Sequence, residues 1–224
     1  YLALAANTTA SNNTAVGYTA LDANTTGASN TAVGRMSLSA VVTGSNNTAV
    51  GMNALLLNTA SDTTAVGAYA LDANVGGSGN TAVGVSSLGA NESGDDNTAV
   101  GTNALLVNTA SDNTAVGSLS LDANTTGASN TAVGRSSLGL NESGDDNTAV
   151  GANALVLNTA SDNTAVGSLS LDANTTGASN TAVGRSSLGL NESGDDNTAV
   201  GANALVLNTA SDNTAVGSLS LDAN

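Results

Sequence analysis

Apolar and polar positions along this chain repeat in a short cycle that returns every sixteen or seventeen residues. Each cycle opens on Asn-Thr-Ala-Val-Gly, first at 13–17 and last at 213–217, in twelve identical copies and one variant, Thr63-Thr64-Ala65-Val66-Gly67. Four residues after every pentad glycine stands a leucine, from Leu21 to Leu221, and two residues beyond it comes Ala, Val or Leu. Polar tracts such as Asn124-Thr125-Thr126-Gly127-Ala128-Ser129 fill the remainder. No apolar stripe at helical spacing persists across these tracts, whereas the short alternating runs rich in β-branched residues fit strands.

Each repeat therefore reads as two short strands, Thr-Ala-Val and the segment through the leucine, joined at a glycine corner and closed by a polar turn. Alternation is expected to send Thr14 and Val16 inward and Ala15 outward, then Leu21 and Ala23 inward and Asp22 outward. The expected core is Val16, Leu21, Val33, Leu38, Val50, Leu55, Val100 and Leu105 with their counterparts, and the corners are Gly17, Gly34 and Gly51. The fold class is all-β: a parallel β-solenoid, or β-roll, with one 16–17-residue two-stranded coil per repeat and about 13 coils. A single continuous array over 1–224 is expected, a segment of a longer chain with both ends falling inside a repeat. A period of this size marks a repeat architecture. Coils about 4.8 Å apart would make a rod of roughly 60 Å.

The steps of 17, 17 and 16 sum to a fifty-residue super-repeat, and 121–170 is identical to 171–220. Charge selects the coil length. The turn Asn141-Glu142-Ser143-Gly144-Asp145-Asp146 recurs fifty residues away on either side. If fifty residues made one coil, these acids would stack about 4.8 Å apart, with a repulsion of about 1 kcal/mol per pair even in water. One repeat per coil separates them by about 14 Å, beyond a Debye length. The recurring asparagines, Asn13 to Asn213, are either good turn residues or rungs of an amide ladder along the stack. The small Ala15 row, with small residues such as Ala20, Ser37, Ala54 and Ser87, is expected outward as a face for close approach. Leu56, Leu106, Val156 and Val206, apolar and expected outward in every third coil, complete an expected partner face.

Composition sharpens this picture. Aromatics are 1%, and Lys, His, Cys and Pro are absent, so the core must be thin and shared between neighbouring coils. The net charge of −15 leaves only Arg35, Arg135 and Arg185 as cations. That argues against nucleic-acid binding, which needs a basic stripe. No apolar run is long enough for a membrane helix.

The pentad and its continuation, as in Gly17-Tyr18-Thr19-Ala20-Leu21 and Gly51-Met52-Asn53-Ala54-Leu55, resemble the YadA-like head repeats of trimeric autotransporter adhesins. They are also similar to repeats of phage tail-fibre-like proteins. The resemblance covers essentially the whole chain. It implies a parallel β-roll, three chains in a head or shaft, an adhesive or structural role at a surface, and the two branched pentad residues, here Thr14 and Val16, pointing into the roll. The chain departs from that family in its threonine and in its longer repeats.

The chemistry expected is not enzymatic. Without His, Cys or Lys, the usual nucleophile–base pairs and phosphate-binding lysine are missing. No cofactor is expected. Calcium is a candidate only at the acidic turns, with oxygen ligands from Glu92, Asp95, Asp96, Glu142, Asp145, Asp146, Glu192, Asp195 and Asp196, against the alternative of a solvated turn. Asn7, Asn24 and Asn91 begin glycosylation sequons. The expectation is an extracellular, cell-surface or virion-surface fibre, filament or adhesin segment that self-associates as a homotrimer or end to end and meets host or environmental surface ligands. The alternative is a repeat-based binding module for calcium or ice. Ice binding calls for a regular threonine ladder on an outward face. Only turns of the Thr25-Thr26 type approach one, and not in every coil.

Overall fold

The computed structural model describes residues 2–222. They form a parallel β-solenoid of thirteen strands, one per repeat, with no helix among the described residues. Two compact units divide the chain, Tyr1–Asp112 and Asn113–Asn224. The first holds β1 (Thr14–Val16), β2 (Thr31–Val33), β3 (Thr48–Val50), β4 (Thr64–Val66), β5 (Thr81–Val83) and β6 (Thr98–Val100). The second holds β7 (Thr114–Val116), β8 (Thr131–Val133), β9 (Thr148–Val150), β10 (Thr164–Val166), β11 (Thr181–Val183), β12 (Thr198–Val200) and β13 (Thr214–Val216).

Within each unit every strand pairs with its sequence neighbours in parallel and in strict register. Thr14 faces Thr31 and Val16 faces Val33 in the first unit. Thr148 faces Thr164 and Val150 faces Val166 in the second. One repeat is thus one coil, as the charge argument requires.

The strand faces are the reverse of the expectation. Ala32, Ala49, Ala65 and Ala82 are fully buried, while Val33 beside the first is half-buried and Val50, Val66 and Val83 beside the others are 37% exposed. The correction applies to Val16, Val33, Val50 and Val100, which lie outward or half-outward, and to Ala15, whose row points inward. Parity supplies the reason. Asn and Ala of the pentad share one side of the strand, Thr and Val the other. Asn30 and Asn47 are fully buried with their amides bonded to the next coil. The alanines must follow them inside, and the thin interior has room there for only a methyl group.

The second predicted strand is not a strand. After the corner the chain makes turns, with left-handed backbone two and four residues past the glycine, as at Thr19 (φ 48°) and Leu21 (φ 53°). Coil-to-coil bonding nevertheless continues: Leu21 N–H donates to the Ser37 carbonyl at 3.0 Å and Leu38 N–H to Ala54 at 3.1 Å. The left-handed turn breaks alternation and puts two consecutive side chains inside, Ala20 with Leu21 and Ser37 with Leu38. Ala20, Ser37, Ala54 and Ser87 are therefore core rather than outward positions. The buried serines bond back to the corner, Ser37 Oγ donating to the Gly34 carbonyl at 3.1 Å. The leucines Leu21, Leu38, Leu55 and Leu105 are fully buried, as expected, and are the largest side chains of the interior.

Glycine at the corner is required twice over. Gly134 has φ 132°, a region that L side chains rarely adopt, and a Cβ there would stand 2.6 Å from the Gly151 carbonyl oxygen of the next coil. Gly17, Gly34 and Gly51 occupy the same place, each packed against the corner glycine of the following coil.

Candidate functional surfaces

The interior is tied together by side-chain amides. Two asparagine rows run through it. In the pentad row, Asn147 N–H donates to Asn130 Oδ1 (3.0 Å), Asn163 N–H to Asn147 Oδ1 (3.0 Å) and Asn180 N–H to Asn163 Oδ1 (3.0 Å). The Asn147 amide also donates to the Ala160 carbonyl at 2.8 Å, so each side chain ties three groups across coils. The ladder reading of these residues is the observed one. The second row, seven residues after the corner, links amide to amide. Asn141 Nδ2 donates to Asn124 Oδ1 (2.9 Å), Asn174 to Asn158 (2.7 Å) and Asn191 to Asn174 (3.1 Å). Asn24 and Asn91 of the glycosylation sequons belong to this row and are fully buried, leaving no room for a glycan in the folded coil.

This second row has a seam at every third coil. Asn91, Asn141 and Asn191 have side-chain oxygens without a partner. Each precedes the sixteen-residue coil, whose missing residue lies in the turn between the two asparagine rows. In that coil the amide bonds only two residues on, as Asn158 does to Ala160, instead of three, as Asn141 does to Gly144. Val41 stands where the first of these seam asparagines would be, and the orphaned oxygen falls one coil earlier, at Asn24.

The acidic turns are tied into the coils by hydrogen bonds. Among the described residues no three acidic side chains come together as a metal cage. Asp95, Asp145 and Asp195 serve as backbone acceptors instead, with Oδ1 taking the N–H of Ser78 (2.7 Å), Ala128 (2.7 Å) and Ala178 (2.8 Å). Their own N–H groups donate to serine hydroxyls of the next coil, Asp145 to Ser161 at 2.9 Å and Asp195 to Ser211 at 3.0 Å. In the second unit this row runs Ala, Asp, Ser from coil to coil, with Asp and Ser as its acceptors, and Glu92, Asp96, Glu142, Asp146, Glu192 and Asp196 are exposed beside it.

Two outer surfaces remain. The first follows the leucine. Leu56, Leu106, Val156 and Val206, expected as partner residues, are half-buried. The next position, expected inward, carries the larger exposed groups: Leu57 (48%), Leu140 (52%), Leu157 (40%), Leu190 (50%) and Leu207 (51%). Strict alternation hid them, because it ignores the turn that makes the preceding pair of residues both inward. A hollow of about 310 Å³ lined by Asn203, Val206, Leu207, Leu219 and Asp222 belongs to this stripe. Asp72, Asp122 and Asp172 interrupt the stripe, and burial pushes their carboxyls above the usual carboxylate range, only partly offset by backbone hydrogen bonds.

The second surface is the outward side of the strands, Thr-x-Val in every coil. In the second unit Val133, Val150, Val166, Val183 and Val200 are each 37–38% exposed, and their threonines are half-buried. Comparison with protein-family models, curated proteins and solved structures found no match for the chain.

Proposed function

We propose that this chain is a segment of an extracellular structural or adhesive fibre, of the kind found in adhesin heads or virion fibres, that self-associates side by side. The observation that carries this reading is the leucine stripe. Exposed leucines recur at one coil position, Leu140, Leu157, Leu190 and Leu207 in the second unit and Leu57 in the first, where scattered single aliphatics would be unremarkable. A recurring stripe adds many weak contacts along one contact line, and its strength grows with the number of coils engaged. The resemblance of the pentads to trimeric adhesin heads supports three chains around such a stripe.

Sedimentation equilibrium of the full chain tests it. A trimer, or a concentration-dependent series of oligomers, is expected. The double variant Leu140→Asp, Leu190→Asp should shift it to monomer with an unchanged circular dichroism spectrum. A wild-type chain that stays monomeric at every concentration, or compact globules in negative-stain images, would overturn the proposal.

A further inference from the structure

The strand face carries a second reading, independent of the leucine stripe. Outward positions of a repeat are free to vary, and in this chain most do. The residue after the corner glycine is Ser118, Arg135, Ala152, Ser168, Arg185 or Ala202 in successive coils of the second unit. The two outward strand positions do not vary at all: threonine and valine hold them in every coil of both units. Strand propensity favours β-branched residues but does not choose between Thr, Val and Ile, nor fix their order.

The face is also uniform. Register is unbroken within each unit. Equal exposure of Val133 through Val200 means that each coil presents the same surface. Strands repeat about 4.8 Å apart, and Thr and Val of one strand stand about 6.6 Å apart along it. The result is a rectangular mesh of hydroxyls and methyls, its two repeats near, though not equal to, those on a prism face of hexagonal ice. No acid lies on it, and its nearest cations, Arg135 and Arg185, sit beyond the corner glycine. Thr125, Thr159 and Thr175 in the turns donate their hydroxyls to carbonyls of the next coil, each at 2.9 Å. The strand threonines form no such bonds, so their hydroxyls can both donate to and accept from water. The valine methyls between them favour a cage of ordered water over disordered contact.

We propose that the Thr-x-Val face binds ice. The threonine row anchors lattice water by hydrogen bonds and the valine row seats it by shape, each contact weak and the array strong through repetition. A neutral face suits a neutral lattice, while the acids of the turns keep the rest of the surface in liquid water.

The test is thermal hysteresis and ice-crystal shaping by the full chain, with sedimentation run in parallel. The expected result is hysteresis and faceted crystals. Hysteresis should fall to the buffer baseline in Thr148→Tyr, Thr181→Tyr, whose bulky rings lift the face from the lattice, with circular dichroism unchanged. Glu142→Gln, in an acidic turn, should keep it. The triple variant Val150→Thr, Val166→Thr, Val183→Thr preserves the mesh, and should also keep it. Three results overturn the proposal: a folded chain without hysteresis or shaping, hysteresis that survives the tyrosines, or loss of hysteresis in the valine-to-threonine variant. Dissociation of an oligomer by the tyrosine variant would likewise overturn it, by assigning the face to a second copy of the chain. Because the leucine variants leave this face untouched, failure here and failure of the self-association reading are separate outcomes.

Discussion

At the scale of single residues, stability rests on buried amides as much as on leucine. Each pentad asparagine accepts one backbone N–H and donates to a carbonyl of the next coil, and each such bond contributes about 1 kcal/mol net. The chain contains its own variant of this device. Thr63 replaces the asparagine, accepts no bond from Asn80, and turns its hydroxyl back to Ser61 at 3.1 Å. Asn163 holds the same position in the second unit and does receive the Asn180 N–H. Thr63→Asn is therefore expected to stabilise the first unit by about 1 kcal/mol, and Asn163→Thr to destabilise the second by a similar amount. Urea unfolding of the two variants checks both signs, and equal midpoints would remove the ladder's energetic role.

At the scale of the coil, the corner is less tolerant than the core. Gly134→Ala forces a Cβ to within 2.6 Å of the Gly151 carbonyl and imposes a backbone region that costs about 1–3 kcal/mol for other residues. Nothing can relax without separating two coils, so a loss above about 2 kcal/mol is expected. Gly76 is the control. A Cβ there meets nothing within 4 Å, so Gly76→Ala should be neutral or stabilise by about 0.5 kcal/mol through the unfolded chain. Denaturation curves that treat the two alike would contradict the stacked-corner account. The coil length, the leucine and this corner were all legible in the sequence, because spacing alone defines them. The strand faces were not. Alternation with Thr14 and Val16 inward put Ala15 outside, whereas the buried amides of the asparagine row carry Ala15 inside by the same parity. An amide ladder among the expectations already contained that answer, since rungs inside the coil carry the alanines in with them. The left-handed leucines left no sequence signal: Leu is among the least expected residues at positive φ, and reading Leu21 as part of a strand followed from that prior.

At the scale of the whole molecule, charge sets the response to pH. With a net charge of −15, self-repulsion opposes compaction at neutral pH. Asp72, Asp122 and Asp172 add to this, since burial raises their folded-state pKa. For an acid raised in the folded state, the protonated form is the better buried one. Its stabilising share is fully present below the unfolded value of about 3.9 and is lost as pH rises through the folded value. Thermal midpoints should therefore climb as pH is lowered from 7 towards 4. The triple variant Asp72→Asn, Asp122→Asn, Asp172→Asn should be more stable than wild type at pH 7 and show a shallower climb. A midpoint that falls steadily on acidification would contradict this assignment.

The seam in the second asparagine row has a consequence for growth. The interruptions after Asn91, Asn141 and Asn191 recur at fifty-residue intervals, and 121–170 is copied without change as 171–220. A gene that gains or loses such a block rejoins two surfaces that already meet elsewhere in the stack, so no new junction has to be tolerated. Gain or loss of one or two coils would instead bring together coil types that are not otherwise neighbours. Length in this protein is thus heritable in whole blocks, and chains of different reach can arise by copying alone, without any change in the chemistry of a single coil.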